Sequence, residues 1–81
     1  MHIAIYSIEK TLFEGEGTTL IAKTPLGEIS VLDGHLPMIT QILGPSVAII
    51  DNDNKKELIS IASGVLEIRP ESRVVILAEK G

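Results

Sequence analysis

The 81-residue sequence contains no cysteine and no tryptophan, and only one tyrosine and one phenylalanine. Without cysteine, neither a disulfide framework nor a cysteine-based zinc site can stabilise the fold. With so few aromatic residues the core must be aliphatic, and 27 residues are Ile, Leu or Val. A domain of this size buries little apolar surface, so we expect it to gain stability from a partner subunit.

Basic residues are also scarce: seven Lys and Arg stand against eleven Asp and Glu, which gives a net charge of −4. Binding to nucleic acid requires clustered cations that neutralise phosphates, so we expect no nucleic-acid partner. Long apolar runs are absent as well, the longest being Val74 to Ala78 and Val47 to Ile50. A membrane span needs roughly 20 apolar residues, so we expect no direct membrane insertion.

Residues that carry chemistry are few and dispersed. His2 and His35 are the only histidines, whereas a metal site needs three or four converging ligands. Ser63 and His35 could be drawn as a nucleophile and base, but no third group or motif supports the pair. Glycine-rich phosphate loops and the G-x-S-x-G motif are missing. We therefore expect no catalytic residue, no metal and no cofactor, and a chain that is not an enzyme by itself.

Hydrophobic alternation with a period of two predicts strands, most clearly where Leu66 and Ile68 alternate with charged residues. The polar run between Ile50 and Leu58 predicts a hairpin tip. Glycine and proline predict further turns at Gly15 and Gly17, Gly44-Pro45 and residues 70–72. These signals predict nine strands, over residues 2–8, 11–14, 18–24, 28–32, 38–43, 46–51, 57–62, 64–69 and 73–79.

One segment imitates a helix, because five apolar residues between Ile29 and Leu43 recur at spacings of three and four. Gly34 and Pro37 interrupt it, and together they cost about 4 kcal/mol in a helix interior. We therefore predict a loop over residues 33–37. The prediction for the whole chain is an all-β flattened sandwich or barrel.

Four stretches in a fixed order carry a resemblance to one known family. The stretch from Ser7 to Gly15 reads SIEKTLFEG and is similar to the S-x-E-x-x-L-F-x-G of the epsilon subunit of rotary F-type ATP synthases. The stretch from Gly27 to Met38 reads GEISVLDGHLPM and is similar to G-E-x-G-x-L-P-G-H-x-P-L. The segments IASGVLEI and VVILAE, which begin at Ile61 and Val74, resemble S-G-G-x-x-E-V and V-T-V-L-A-D. Asp33 stands where the family usually has proline.

The resemblance implies a single domain over residues 1–81, a flattened sandwich or barrel of ten strands in two five-stranded sheets. It implies a rotor subunit in the central stalk that links the gamma subunit to the c-ring. Such a subunit couples proton or sodium translocation to ATP synthesis and hydrolyses nothing itself. The implied location is the cytoplasmic side of the inner membrane, as a peripheral part of the complex.

The resemblance also implies two sets of contact residues. Leu26, Gly27 and Glu28, in the loop after Pro25, are expected to face the c-ring. Ser7, His35 and Thr40 are expected to face gamma.

Family members usually continue into two C-terminal helices, which the sequence to Gly81 does not include. The resemblance thus implies neither inhibition of ATP hydrolysis nor ATP binding through that hairpin. The residues alone leave an alternative open, a free-standing β-sandwich module that binds a protein or a small ligand. An exposed apolar face would favour a protein partner, whereas an enclosed cavity would favour a ligand.

Overall fold

A computed structural model describes residues 1–80, which form eight strands and no helix. The strands are β1 (His2–Tyr6), β2 (Thr11–Glu16), β3 (Thr19–Thr24), β4 (Gly27–Leu32), β5 (Met38–Ile50), β6 (Lys56–Ser60), β7 (Ser63–Arg69) and β8 (Arg73–Glu79). Nothing in this range is a helix long and apolar enough to cross a membrane. The all-β prediction is confirmed.

The strands form one hydrogen-bonded sheet in the order β2-β1-β8-β7-β5-β3-β4, with β6 paired to β5. All neighbours are antiparallel except β1 and β8, which run parallel. The long strand β5 joins two layers, because its first half pairs with β7 and its second half pairs with β6 and β3. The sheet therefore folds over on itself and encloses a single core.

The strand count differs from both expectations, since the described residues contain eight strands in one sheet rather than nine strands or two sheets of five. The predicted turn at Gly44-Pro45 is wrong, because β5 continues through it for 13 residues. Backbone hydrogen bonds maintain the pairing there: the Gly44 N–H donates to the Ala62 carbonyl at 2.8 Å, and the Pro45 carbonyl accepts from Ile61 at 3.0 Å. The turn predicted at Gly15 is also wrong, since that residue pairs with Ile3 inside β2.

Two predicted connections are confirmed. Residues 33–37 form the loop between β4 and β5. The polar tip between β5 and β6 is held by Asp51, whose Oδ1 accepts hydrogen bonds from the backbone N–H groups of Asp53 at 2.8 Å and Lys55 at 2.9 Å. Asn54 adopts a left-handed φ of 64° there, a conformation that asparagine tolerates better than most residues.

The core is aliphatic throughout, and residues 1–80 bury no polar or charged side chain. Ten large side chains are essentially inaccessible: Ile3, Ile5, Leu20, Val31, Ile42, Val47, Ile61, Leu66, Val74 and Ile76. Burying each contributes about 1.5–3 kcal/mol. Both layers supply these residues, so packing in the core holds the two halves of the folded sheet against each other.

Candidate functional site

Connections gather at the two ends of the sandwich. One end, here called the hairpin end, carries the β1–β2 turn at residues 7–10, the β3–β4 turn at residues 25–26 and the bend of β5. The opposite end carries the 33–37 loop, the 51–55 tip and the turn at residues 70–72. Each end and each outer sheet face is a separate surface that a partner can contact.

The β3–β4 turn brings together Leu26, Gly27 and Glu28, the three residues expected to face the c-ring. The Thr24 hydroxyl donates to the Gly27 carbonyl at 2.7 Å and accepts the Leu26 N–H at 3.1 Å. Gly27 has a φ of 127°, which an L side chain rarely adopts. Leu26 is fully exposed, and Glu28 lies opposite Lys23 in the ladder. The tip therefore presents an apolar side chain next to a carboxylate.

The Thr24 hydroxyl is expected to determine the shape of this turn. Replacing it with valine in Thr24→Val removes two hydrogen bonds and should cost about 1–2 kcal/mol of unfolding free energy in urea titrations. Thr11→Val is the matched control, because Thr11 is exposed in β2 and its hydroxyl makes no hydrogen bond within residues 1–80. Equal stability of the two variants would contradict this role for Thr24.

The three residues expected to face gamma are not brought together. Ser7 lies in the β1–β2 turn, where its hydroxyl donates to the Lys10 carbonyl at 3.1 Å. His35 lies in the 33–37 loop at the other end, and its Nδ1 is 2.8 Å from the Leu36 carbonyl oxygen. Thr40 pairs with the buried Leu66, so its side chain points to the inner side of β5. Of the three, only Ser7 borders the surface described next.

A further surface went unrecognised in the sequence. Five residues on the outer side of β1, β5, β7 and β8 form what we call the outer apolar face: Tyr6, Ile39, Val65, Val75 and Leu77. Ile39 is 70% exposed, Leu77 61% and Val65 45%. Two surface depressions of about 620 and 320 Å³ share Tyr6, Val65 and Leu77, and Ser7 lines the larger one. Adjacent exposed apolar side chains rimmed by polar residues are typical of protein interaction sites.

The signal for this face is present in the sequence. The run from Val74 to Ala78 is apolar at every position, so β8 must present apolar side chains on both of its sides. Alternation in β7 also indicates an apolar residue on this outer face, because Val65 falls on the outward side together with Glu67.

Charged groups surround the outer apolar face. The Arg69 guanidinium lies 3.0 Å from the Glu67 carboxylate. Farther along the same side, the His2 ring nitrogens lie 3.4 Å from Glu14 and 3.0 Å from Glu16. The portion of the chain that the structure describes has no cluster of three or more His, Cys, Asp or Glu side chains arranged to hold a metal ion. The geometry is that of a docking surface with an apolar centre and a charged rim.

Comparison with known proteins identifies the family. The sequence profile described as "ATP synthase, Delta/Epsilon chain, beta-sandwich domain" matches residues 1–81. The chain belongs to this family. ATP synthase epsilon chains of Bordetella parapertussis and Mycobacterium leprae are 35% and 34% identical to it, each over 98% of this chain. The chain spans 56% of the first relative's length and 65% of the second's.

Solved structures share the fold. A chain of the Euglena gracilis mitochondrial ATP synthase, in a structure of OSCP, F1 and c-ring, superposes with a TM-score of 0.85 at 20% identity over 94% of this chain and 48% of its own. A chain from the central stalk and c-ring of the Tetrahymena thermophila mitochondrial enzyme gives 0.77 at 12% identity, over 98% and 63%. The delta/epsilon β-sandwich thus persists at identities that preserve little beyond the fold.

Proposed function

We propose that this delta/epsilon-type sandwich is a non-catalytic rotor subunit of an F-type ATP synthase. In this role it links the gamma subunit to the c-ring and couples proton or sodium translocation to ATP synthesis. It would act as a peripheral component on the cytoplasmic side of the inner membrane. The observation that carries the proposal is the family match over residues 1–81.

The outer apolar face supports a protein partner and is the surface we assign to gamma. It combines exposed aliphatic side chains with a charged rim, and Ser7 lies at its margin. The two depressions lie open at the surface of the sheet, so side chains of a partner protein can insert into them, whereas a small-molecule site would be enclosed. His35 and Thr40 remain proposed gamma contacts, although neither lies on this face.

The hairpin end supports the contact with the c-ring. Leu26 projects fully into solvent from a turn that Thr24 and Gly27 hold in one shape, with Glu28 beside it. We assign this tip, with one apolar and one acidic side chain, to a contact with a polar loop of a ring subunit. The two surfaces lie on different sides of one close-packed core, which transmits strain with little deformation.

The test is binding of the purified full chain to purified gamma and, separately, to detergent-solubilised c-ring. We expect a complex with each, and a ternary assembly when all three are mixed. Failure of the folded chain to bind either one would refute the proposal.

A narrower prediction concerns the tip. Glu28→Lys reverses the charge without entering the core, so we expect an unchanged unfolding free energy and about tenfold weaker c-ring binding, as for loss of a favourable charge contact. Glu57→Lys is the control, because Glu57 is also exposed on a strand but lies at the far end of β6. Equal c-ring binding by the two variants would remove Glu28 from the interface.

A further inference from the structure

The outward side of β8 carries a positive charge at one end and a negative charge at the other. Arg73, Val75, Leu77 and Glu79 share that side, because the residues between them are buried. A basic group therefore begins the row, an acidic group ends it, and two apolar side chains lie in the middle. Within residues 1–80, neither Arg73 nor Glu79 takes part in an ion pair.

The neighbouring strand β7 offers no ion-pair partner to either Arg73 or Glu79. Arg73 lies opposite Arg69, which is already bound to Glu67. Like charges placed directly opposite each other on a sheet are unfavourable, so an additional carboxylate near Arg73 would be stabilising. Glu79 lies opposite the neutral Ser63. In the free subunit Arg73 and Glu79 are therefore exposed charges, available to pair with a carboxylate at one end of the row and a cation at the other.

We propose that the outer apolar face binds a second copy of this chain through a two-fold axis that lies between the two faces, perpendicular to β8 and at the level of Ile76. This symmetry lays the two β8 strands antiparallel, so that Arg73 of each copy meets Glu79 of its partner. The apolar rows around Val75 and Leu77 then face one another. A two-fold interface must be self-complementary, and a row ordered as cation, two apolar residues and anion meets that condition.

The opposite outer face does not meet it. Leu58 is exposed there to 62%, but its neighbours across the strands are the small Ala48, Ile21 and the polar Ser30. Leu32 on β4 is exposed to 54%, but β5 and β3 separate it from Leu58, and Ile21 is partly buried, so the exposed apolar side chains of this face are not adjacent as they are on the outer apolar face. The charge pattern and the apolar area therefore select the same side of the molecule.

Size sets the strength of the dimer. The Cα envelope measures 26 × 24 × 20 Å, so one face of each copy can bury on the order of 1,000 Å² in total, the lower end for specific complexes. We therefore expect a reversible dimer with a dissociation constant in the micromolar range. Its covered surface is the one assigned above to gamma, so the dimer and the gamma complex exclude each other. That exclusion rests on the proposed function, whereas the dimer itself does not.

The first test is sedimentation velocity of the full chain over a range of concentrations, with Leu77→Asp and Leu58→Asp compared. The two leucines are exposed almost equally, at 61% and 62%, but lie on opposite faces. We expect the wild type and Leu58→Asp to dimerise, and Leu77→Asp to weaken dimerisation at least a hundredfold while keeping a folded circular-dichroism spectrum. A wild type that stays monomeric up to millimolar concentration, or dimerisation abolished by Leu58→Asp instead, would overturn the proposal.

The second test is a charge exchange. Arg73→Glu and Glu79→Arg each replace two attractive contacts per dimer with repulsive ones, and we expect each to raise the dissociation constant about tenfold. The double variant reverses both charges and should return to within about threefold of the wild type. A double variant as weak as the single ones would overturn the two-fold arrangement. Gamma binding is measured separately, so failure of the dimer can be distinguished from failure of the gamma complex.

Discussion

Gly44→Ala is expected to destabilise the fold by about 3 kcal/mol or more, because the added methyl group has no space. A Cβ at this position would collide with the Ile61 carbonyl oxygen and lie 2.8 Å from the Ala62 carbonyl oxygen. These are backbone atoms held by the hydrogen bonds that carry β5 past Gly44, so they cannot move away without breaking the ladder. A domain of this length has a total stability of only about 4–12 kcal/mol.

Urea titration followed by circular dichroism measures this effect. Gly15→Ala is the control, since a Cβ there meets only the flexible Phe13 side chain at an ordinary 3.4 Å. In a strand, alanine in place of glycine is neutral or slightly stabilising when space allows. We therefore expect a large shift of the midpoint for Gly44→Ala and little for Gly15→Ala. Similar midpoints would show that the sheet can open at Gly44.

The same residue explains why the strand count could not be predicted from the sequence. Glycine followed by proline is a strong local turn signal. The hydrogen bonds that keep Gly44 and Pro45 in a continuous strand come from Ile61 and Ala62, which lie far away along the chain. A local rule cannot detect such distant partners. Where burial on one side decides the pattern, as for Leu66 and Ile68, alternation predicted the strand correctly.

The two candidate surfaces also differ in how far the sequence predicts them. The tip with Leu26 and Glu28 could be anticipated, because a proline and a glycine two residues apart between extended segments favour a tight turn. For the outer apolar face the sequence gives only part of the answer, since the run from Val74 to Ala78 shows apolar side chains on both sides of the strand but not which side is exposed. Only the pairing of β8 with β7 and β1 reveals which of its residues face outward.

The outer apolar face contributes to association rather than to the stability of the isolated domain. Side chains such as Ile39 and Leu77 add nothing to the core of the isolated chain, and their exposure favours association. The core itself is enclosed without a partner, because its ten large aliphatic side chains are already essentially inaccessible in the isolated chain. The partner is therefore expected to add affinity and protection rather than to complete the fold.

Ile39→Asp is expected to weaken binding to gamma by about a hundredfold while leaving the domain folded. Ile39 is the most exposed residue of the outer apolar face, at 70%, and lies on the outward side of β5 beside Glu67. An apolar residue near the centre of an interface contributes about 2–4 kcal/mol when it is fully desolvated. Aspartate would in addition bury a charge without a counterion, next to an existing carboxylate.

Leu58→Asp provides the matched control, with 62% exposure on the other outer face and no proposed partner there. Both variants should unfold at nearly the wild-type urea midpoint, because neither side chain belongs to the core. Binding is measured by titrating labelled gamma at subunit concentrations below those that promote self-association. If Leu58→Asp impairs binding and Ile39→Asp does not, gamma binds the other outer face, and the assignment of the apolar surface to gamma fails even though family membership stands.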